Sequence, residues 1–163
     1  MKVLIQRART DDADVIAGLW VSMMEEHQEF EKRIRLSARA REAYAKYARH
    51  HAAQDDSIVL VAEVEREARR GPALIVGFSL SYRVRNLPMF FPEFYGFISD
   101  IVVAKGFRGQ GHGHRMVEQT EKVFRRMGLS HVQLQAYRAN DGALRFWRRL
   151  GYAAYIDGMW KDL

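Results

Sequence analysis

The chain has 163 residues, enough for one domain that buries its own hydrophobic core without cross-links. It contains no cysteine, which excludes disulfides, thiolate nucleophiles and Cys-ligated zinc. The net charge of +6 is concentrated in one segment, because residues 105 to 149 contain ten Lys or Arg against three acids. That concentration suggests an anionic partner, and a pair of solvated basic helix faces is the alternative.

The N-terminal apolar run is too short for a signal-peptide core, and no stretch approaches the 18 apolar residues of a membrane span. The six histidines include no HExxH pair. The sequence therefore predicts a cytoplasmic protein that binds neither a membrane nor a metal.

The first half of the chain predicts a strand followed by two helices. Residues 2 to 6 form a short apolar run typical of a strand. Thr10 and the acids after it are typical of a helix start, and apolar residues then recur at helical spacing to about His27. A second helix is expected from Ser37 to about His51.

The pattern then changes to the period of β-strands. Residues 57 to 65 and 73 to 82 are apolar and β-branched, and Gly71 and Pro72 between them predict the turn of an antiparallel hairpin. The next strand is expected at 95 to 103, and it is called the third strand below because it is the third of this β-rich series. The loop before it carries four apolar side chains, and this predicts a covering partner such as a second copy in a homodimer: Leu87, Met89, Phe90 and Phe91.

Helices and strands alternate in the last third of the chain. The predicted elements are a helix from near Gly111 to Gly128, a strand at 131 to 137, a short helix between Asn140 and Gly151, and a strand at 152 to 160. With no linker or repeat, residues 1 to 163 are predicted to form a single mixed α/β domain.

Residues 107 to 115 read FRGQGHGHR and lie between the strand predicted at 95 to 103 and the helix predicted from near Gly111. Such a turn points unpaired backbone N–H groups at one place, where the helix dipole and Arg108 add positive potential. A ligand-free glycine turn is the alternative. Neither GxxxxGK[ST] nor GxGxxG is present, so the familiar nucleotide loops are excluded.

Two stretches resemble the signatures of the GNAT superfamily of acetyl-CoA-dependent N-acetyltransferases. The first, Arg/Gln-x-x-Gly-x-Gly/Ala, is matched by Arg108, Gly111 and Gly113. The second lies about thirty residues later, and its matching residues are Asn140, Ala143, Phe146, Leu150, Gly151 and Tyr152. By motif the resemblance covers about residues 95 to 160.

The resemblance implies a mixed sheet of about six strands, mostly antiparallel, with one parallel pair splayed at the cofactor site and about four flanking helices. It also implies acetyl-CoA as co-substrate, with its pyrophosphate on the glycine loop and its pantetheine arm along the third strand. The implied cofactor-binding residues are Ile101, Val102, Val103, Arg108, Gly109, Gln110, Gly111, His112, Gly113, His114, Asn140, Ala143, Phe146 and Trp147.

Transfer to an amine needs a group that takes the amine's proton. Asp100 and Ser99 are the candidates on the third strand, but alternation places them on opposite faces, so Asp100 faces the acceptor only if a bulge shifts the register. The end of the first helix offers a second set of candidates: Glu25, Glu26 and His27. The resemblance also implies the Val103 N–H as donor to the oxyanion.

The sequence departs from the family at Trp147, where many members have a tyrosine that acts as general acid. An indole cannot take that role at neutral pH, and Trp147 is either a wall of the cofactor tunnel or a core aromatic. Tyr137, Tyr152 or water then remain as the source of the proton.

The expected activity is transfer of an acetyl group from acetyl-CoA to a primary amine of a small molecule or protein, by direct attack in a ternary complex. A CoA-binding regulatory module without turnover is the alternative. Nucleic-acid binding is a third and weaker hypothesis, because no aromatic platform or recognition helix accompanies the basic segment.

Overall fold

A computed structural model describes residues 2–65 and 74–163. Its strands are β1 (Val3–Arg7), β2 (Ser57–Val64), β3 (Leu74–Arg85), β4 (Phe94–Val103) and β5 (Val132–Leu134). Its helices are α1 (Ala13–Phe30), α2 (Ala40–Ala52), α3 (His112–Arg126) and α4 (Asp141–Arg149), and short 3-10 turns at Thr10–Asp12 and Lys105–Phe107 precede α1 and α3.

The five strands form one sheet in the order β1-β2-β3-β4-β5. The first four pair antiparallel, as the β-branched runs predict, and β5 pairs parallel with β4. This confirms the mixed α/β fold with one parallel pair. The predicted turn at Gly71 and Pro72 lies outside the described residues.

The prediction of a sixth strand at 152 to 160 is wrong, since residues 152–163 adopt neither helix nor strand. A strand there would need to pair with β5, which offers only three residues. Asp157 and Gly158 also disfavour an extended ladder. The segment instead reaches β5 through a side chain, the Tyr155 hydroxyl donating to Gln133 Oε1 at 2.7 Å.

Helices cover both faces of the sheet. On one face α1 and α2 bury Ile16, Ala17 and Tyr44 against Phe78 of β3. On the other, α3 and α4 pack against the opposite side of the same strands with residues that include Met116, Val117, Phe124 and Trp147. Each helix turns most of the apolar stripe that its sequence period predicts toward the sheet, although Val15 of α1 stays 45% exposed. The interior strand β4 is covered by helices of both layers.

The helix boundaries differ from the predictions in one respect that concerns the site. The helix α3 ends as predicted, with Gly128 left-handed (φ 78°) and the Leu129 N–H donating to the Phe124 carbonyl at 3.0 Å. The helix α1, however, continues to Phe30. Glu26 and His27 therefore lie within its last turns, near the helix end where the sequence places them.

The apolar loop between β3 and β4 is exposed, with the Phe91 side chain 96% accessible. Its role in a homodimer stays a prediction. Among the described residues, each helix is too short or too polar to cross a lipid bilayer.

Candidate active site

The glycine loop lies where β4 ends and α3 begins. After Val103 the chain makes a 3-10 turn, and Gly109 and Gly111 then adopt left-handed backbone angles, with φ of 77° and 78°. A Cβ at either glycine would meet nothing within 4 Å. The space over both residues is therefore open, and the left-handed conformation itself favours glycine.

The backbone N–H groups of this loop are free to bind a ligand. In the described part of the chain, no acceptor is found for the amides of residues 109 to 114, whereas the next one, Arg115 N, donates to the Gly111 carbonyl at 3.0 Å. Six unpaired donors at the positive end of a 15-residue helix form a site for an anion.

Gly113 serves a different purpose from its neighbours. A Cβ there would lie 3.4 Å from the Phe146 ring and 3.8 Å from the Ile101 side chain. Both distances are ordinary packing distances, so the first turn of α3 lies directly beside Phe146 of α4 and Ile101 of β4, and the two sequence signatures are neighbours in space.

The sheet opens beside this loop. The strands β4 and β5 pair only through Gly96, Phe97 and Ile98, opposite Val132 to Leu134. Beyond that point the 99–103 stretch of β4 has no strand partner on this side among the described residues. The open edge confirms the predicted splay and leaves backbone groups available to an extended ligand.

A bulge in β4 brings both candidate bases to the same side. Leu80 pairs with Asp100 and Ser81 with Ile98, so Ser99 is an extra residue in β4. Ser99 Oγ donates to Asp100 Oδ2 at 2.6 Å, and Trp20 Nε1 on α1 donates to Oδ1 at 3.0 Å. The bulge that strand alternation requires for Asp100 to change sides is therefore present, and Asp100 faces α1.

Burial controls the ionisation of Asp100. The loss of water around the carboxyl raises its pKa above the ordinary 3.8, although the hydrogen bonds from Ser99 and Trp20 oppose the shift. The ring of Tyr44 stacks on Trp20 with centroids 4.3 Å apart. Its buried hydroxyl makes no hydrogen bond of good geometry with described residues, and burial beside Asp100 raises the Tyr44 pKa.

His27 lies across the opening, against the other wall. Its Nε2 is 3.2 Å from Asn140 Nδ2, and its ring packs against Tyr137 with centroids 5.4 Å apart. Asn140 Oδ1 accepts from the Ala143 N–H, which fixes the amide orientation and leaves Nδ2 as a donor. Burial lowers the His27 pKa, which favours the neutral ring. Because Nε2 accepts from Asn140, the single proton lies on Nδ1. That nitrogen is buried and has no partner among the described residues.

Arg108 is placed differently from its predicted role as a phosphate ligand. Its Nε donates to the Val103 carbonyl at 2.7 Å, and its two terminal nitrogens bind the Glu26 carboxylate at 2.9 and 3.0 Å. These contacts hold the pKa of Glu26 below its usual value. The guanidinium therefore joins α1 to the end of β4.

Comparison with known proteins identifies the family. A family model described as acetyltransferase (GNAT) family matches residues 20–152. The chain belongs to this family.

Two curated relatives are N-alpha-acetyltransferases. The chain is 36% identical over 73 residues to N-alpha-acetyltransferase MAK3 of Arabidopsis thaliana, covering 40% of this chain and 38% of that protein. It is 28% identical over 60 residues to N-alpha-acetyltransferase 30 of Schizosaccharomyces pombe, covering 37% and 40%. The matches span less than half the length of either relative.

Solved structures match over nearly the whole chain. A mutant of protein BH1408 from Bacillus halodurans has a TM-score of 0.83 at 25% identity, covering 98% of this chain and 99% of its own. An aminoglycoside N-acetyltransferase in complex with CoA has a TM-score of 0.71 at 12% identity, covering 99% and 95%. The second likeness shows the fold alone.

GNAT proteins use acetyl-CoA as co-substrate, and the residues of this chain fit it. The six unpaired amides suit a diphosphate, the open space over Gly109 and Gly111 allows it to approach, and the free edge of β4 suits an amide-bearing arm. Gln110 and His114 are exposed beside the amides. The His112 ring is buried, with Arg115 2.7 Å from its Nδ1, so that residue offers its backbone and not its side chain.

The residue at the family's tyrosine position faces the core. Trp147 is 7% exposed and packs between Phe146 and Tyr152, with centroids 4.9 and 5.1 Å away. The Tyr152 hydroxyl donates to Glu121 Oε1 on α3 at 3.0 Å, on the side away from Asp100. Of the two tyrosines that the sequence leaves open as acid, Tyr137 is the one beside His27.

Sequence reasoning missed Trp20 and Tyr44. Both belong to helical apolar stripes, which predict core residues and nothing more. Their contact with Asp100 depends on how α1 and α2 cross β4. A tryptophan and a tyrosine in stripes that otherwise contain Ala, Ile and Met were the only available signal, because each carries a polar atom that needs a partner when buried.

Proposed function

We propose that this protein transfers the acetyl group of acetyl-CoA to a primary amine of a small molecule or protein, by direct attack within a ternary complex. The observation that carries the proposal is the row of six unpaired amides at residues 109 to 114, beside the open edge of β4. One element can hold the anionic part of the donor while the other aligns its acyl end with the acceptor.

Acetyl-CoA supplies an activated thioester carbonyl when bound. The amides of 109 to 114 would hold its diphosphate, and Ile101, Val102 and Val103 would present backbone groups to its arm. On the opposite wall Asn140, Ala143 and Phe146 would line its path, and Trp147 would support that wall from the core. The Val103 N–H is the proposed donor to the oxyanion.

Asp100 is the proposed general base. A primary amine has a pKa near 10, so it arrives protonated and must lose that proton before it attacks. Burial raises the pKa of Asp100, which makes the carboxylate a stronger base than an exposed aspartate. Ser99, hydrogen-bonded to Asp100, would orient the carboxylate or pass the proton through its hydroxyl.

Tyr137 is the proposed source of the proton for the departing thiolate. Its ring packs against His27, on the wall that carries Asn140. His27 itself is a poor base, since Asn140 occupies the lone pair of Nε2. Its Nδ1–H is buried and without a partner in the described residues, so the ring supports the Asn140 wall and does not itself take the amine's proton.

A monocationic acceptor is favoured over a polycationic one. Arg108 neutralises the Glu26 carboxylate, whereas Asp100 accepts only the neutral donors of Trp20 and Ser99, which leaves one negative charge for a cationic acceptor. A peptide or protein amine next to an apolar group suits these surroundings better than a polyamine or aminoglycoside does.

The test is thiol release from acetyl-CoA with a panel of amines that includes peptides, polyamines and aminoglycosides, with each product confirmed by mass. Acetylation of at least one amine is the expected result. Tight CoA binding with no thiol release against the panel would favour the regulatory module instead. Absence of both CoA binding and thiol release would overturn the assignment of the loop as the cofactor site.

A further inference from the structure

The last turns of α1 contact both walls of the opening in the sheet. Glu26 binds Arg108, which lies on the β4 side, and the next residue, His27, lies 3.2 Å from Asn140 at the start of α4. The same helix supplies Trp20, which binds Asp100. One helix thus carries three side chains that reach the candidate base, the cofactor loop and the opposite wall.

The bond between Glu26 and Arg108 has the geometry of a specific contact. It is bidentate, at 2.9 and 3.0 Å, and the remaining Nε–H of Arg108 is held by the Val103 carbonyl at 2.7 Å. Lys105 adds a second cation at 3.8 Å. Glu26 is only 25% exposed, so water competes less for it than at an open surface site.

The pair also borders a cleft on the α1 side of β4. A cleft of about 190 Å³ lies between α1 and the end of β4, and its apolar lining residues include Leu19, Met23 and Val102. Glu26, Lys105 and Arg108 complete its wall. Movement of α1 away from β4 would change the width of this cleft and the position of Trp20 over Asp100 together.

We propose that Glu26 is a positioning residue that acts through Arg108, holding α1 at the spacing from β4 that acceptor binding requires. The inference rests on the proposed function, because it assigns the cleft between α1 and β4 to the amine. It also reassigns the main role of Arg108 from contact with phosphate to fixing α1, while its charge still contributes to the potential at the loop.

The proposal predicts opposite effects on the two substrates. In Glu26→Gln the bidentate bond is lost, so the Michaelis constant for the amine should rise about fivefold, as expected for a pair worth ~1 kcal/mol. The same change removes a negative charge near the cofactor loop and releases Arg108. The dissociation constant of CoA should therefore fall about two- to threefold. A general loss of structure would instead weaken the binding of both the amine and CoA.

Arg108→Gln breaks the same contact with Glu26 but removes a positive charge in place of a negative one, so it separates the effect of the contact from the effect of charge. It removes the same pair, so the Michaelis constant for the amine should rise about fivefold again, but it also removes a cation, so CoA should bind about threefold more weakly. The double variant should affect the amine no more than either single one, since both break one interaction. Additive effects would overturn the proposal.

The matched control is Glu29→Gln. Glu29 is an exposed glutamate on the same helix, and its loss changes the net charge by the same amount. Both substrate constants should stay within about twofold of the parent, because a screened surface charge contributes little. If Glu29→Gln reproduced the effects of Glu26→Gln, the result would be one of charge alone and the positioning role would be rejected.

The measurements are steady-state kinetics with the best amine of the panel, calorimetric titration with CoA, and hydrogen exchange of the backbone amides near residue 26. Exchange there should quicken about fivefold in Glu26→Gln and not in Glu29→Gln. Should no amine react, the proposed function fails while exchange and CoA binding still test the contact. Unchanged exchange in Glu26→Gln overturns it.

Discussion

The cofactor loop and the acceptor side of this site are built in different ways. The loop consists of backbone amides from adjacent residues, 109 to 114, whose direction is set by two left-handed glycines. The acceptor side consists of side chains from four elements, with Asp100 on β4 bonded to Trp20 on α1. A site made of backbone depends on local sequence, whereas one made of side chains depends on how helices pack.

The largest expected effect is at Gly111. Gly111→Val should reduce CoA affinity at least ~100-fold, because a branched side chain would occupy the open space over the amides and resist a φ of 78°. Calorimetric titration with CoA measures the loss. A left-handed valine also costs about 1–2 kcal/mol of folding free energy, so stability must be followed by thermal unfolding.

Gly128→Val supplies the control for that strain. Gly128 has the same φ of 78° and open space around it, but it lies at the other end of α3. Its substitution should lower the melting temperature by a similar amount and leave CoA affinity unchanged. If the two variants lost CoA binding equally, the loss would come from strain and not from the loop.

The second effect concerns the acceptor side. Asp100→Asn should lower kcat about 100-fold, as expected when a general base is removed, with CoA affinity unchanged. In the parent, kcat should rise with pH as Asp100 loses its proton, at a pH above the ordinary pKa of 3.8. That limb of the pH profile should vanish in the variant. A limb that persisted would assign the proton to another group.

The same substitution has an opposite consequence for stability. The folded pKa of Asp100 is raised, so its contribution to stability is fully present below 3.8 and is lost as the pH rises through the folded pKa. At neutral pH the buried charge destabilises the fold. Asp100→Asn should therefore unfold at a higher temperature than the parent at pH 7, and the difference should shrink in acid.

How far the sequence predicts each region follows from this difference in construction. The strand, turn and helix around Gly111 and the contact residues of α4 were predictable, because spacing along the chain determines them. Even the bulge at Ser99 could be stated only as a condition, since it depends on the register between β3 and β4. The contact of Glu26 with Arg108 joins residues 82 positions apart, and no local pattern indicates it.

The absent sixth strand has a related cause. Residues 152 to 160 have the composition of a strand, but a strand forms only where a partner edge of sufficient length exists. The strand β5 is only three residues long and ends at Leu134. The length of that edge results from the splay, which composition cannot reveal.

A third and smaller effect tests the proposed acid. Tyr137→Phe should lower kcat about tenfold, since water can partly replace a general acid. Tyr152→Phe is the matched change, and it should leave kcat within about twofold because its hydroxyl donates to Glu121 on α3. The lost hydrogen bond should instead cost ~1 kcal/mol of stability. The reverse ranking of the two variants in kcat would move the acid to Tyr152.

The smallest effect on activity is expected at Trp147, the position where this chain departs from its family. The ring lies between Phe146 and Tyr152 in the layer under α3 and α4 and is 7% exposed, so it supports the wall of the site without facing the reacting groups. Trp147→Phe should cost about 1–2 kcal/mol of folding free energy through the smaller buried volume, and should change kcat less than about twofold. Thermal unfolding and thiol release measure the two quantities on one preparation. A tenfold fall in kcat with unchanged stability would instead place the indole at the thiol end of the site. The site would then consist of three regions: the backbone loop, the side chains of the acceptor side, and an aromatic side chain of α4.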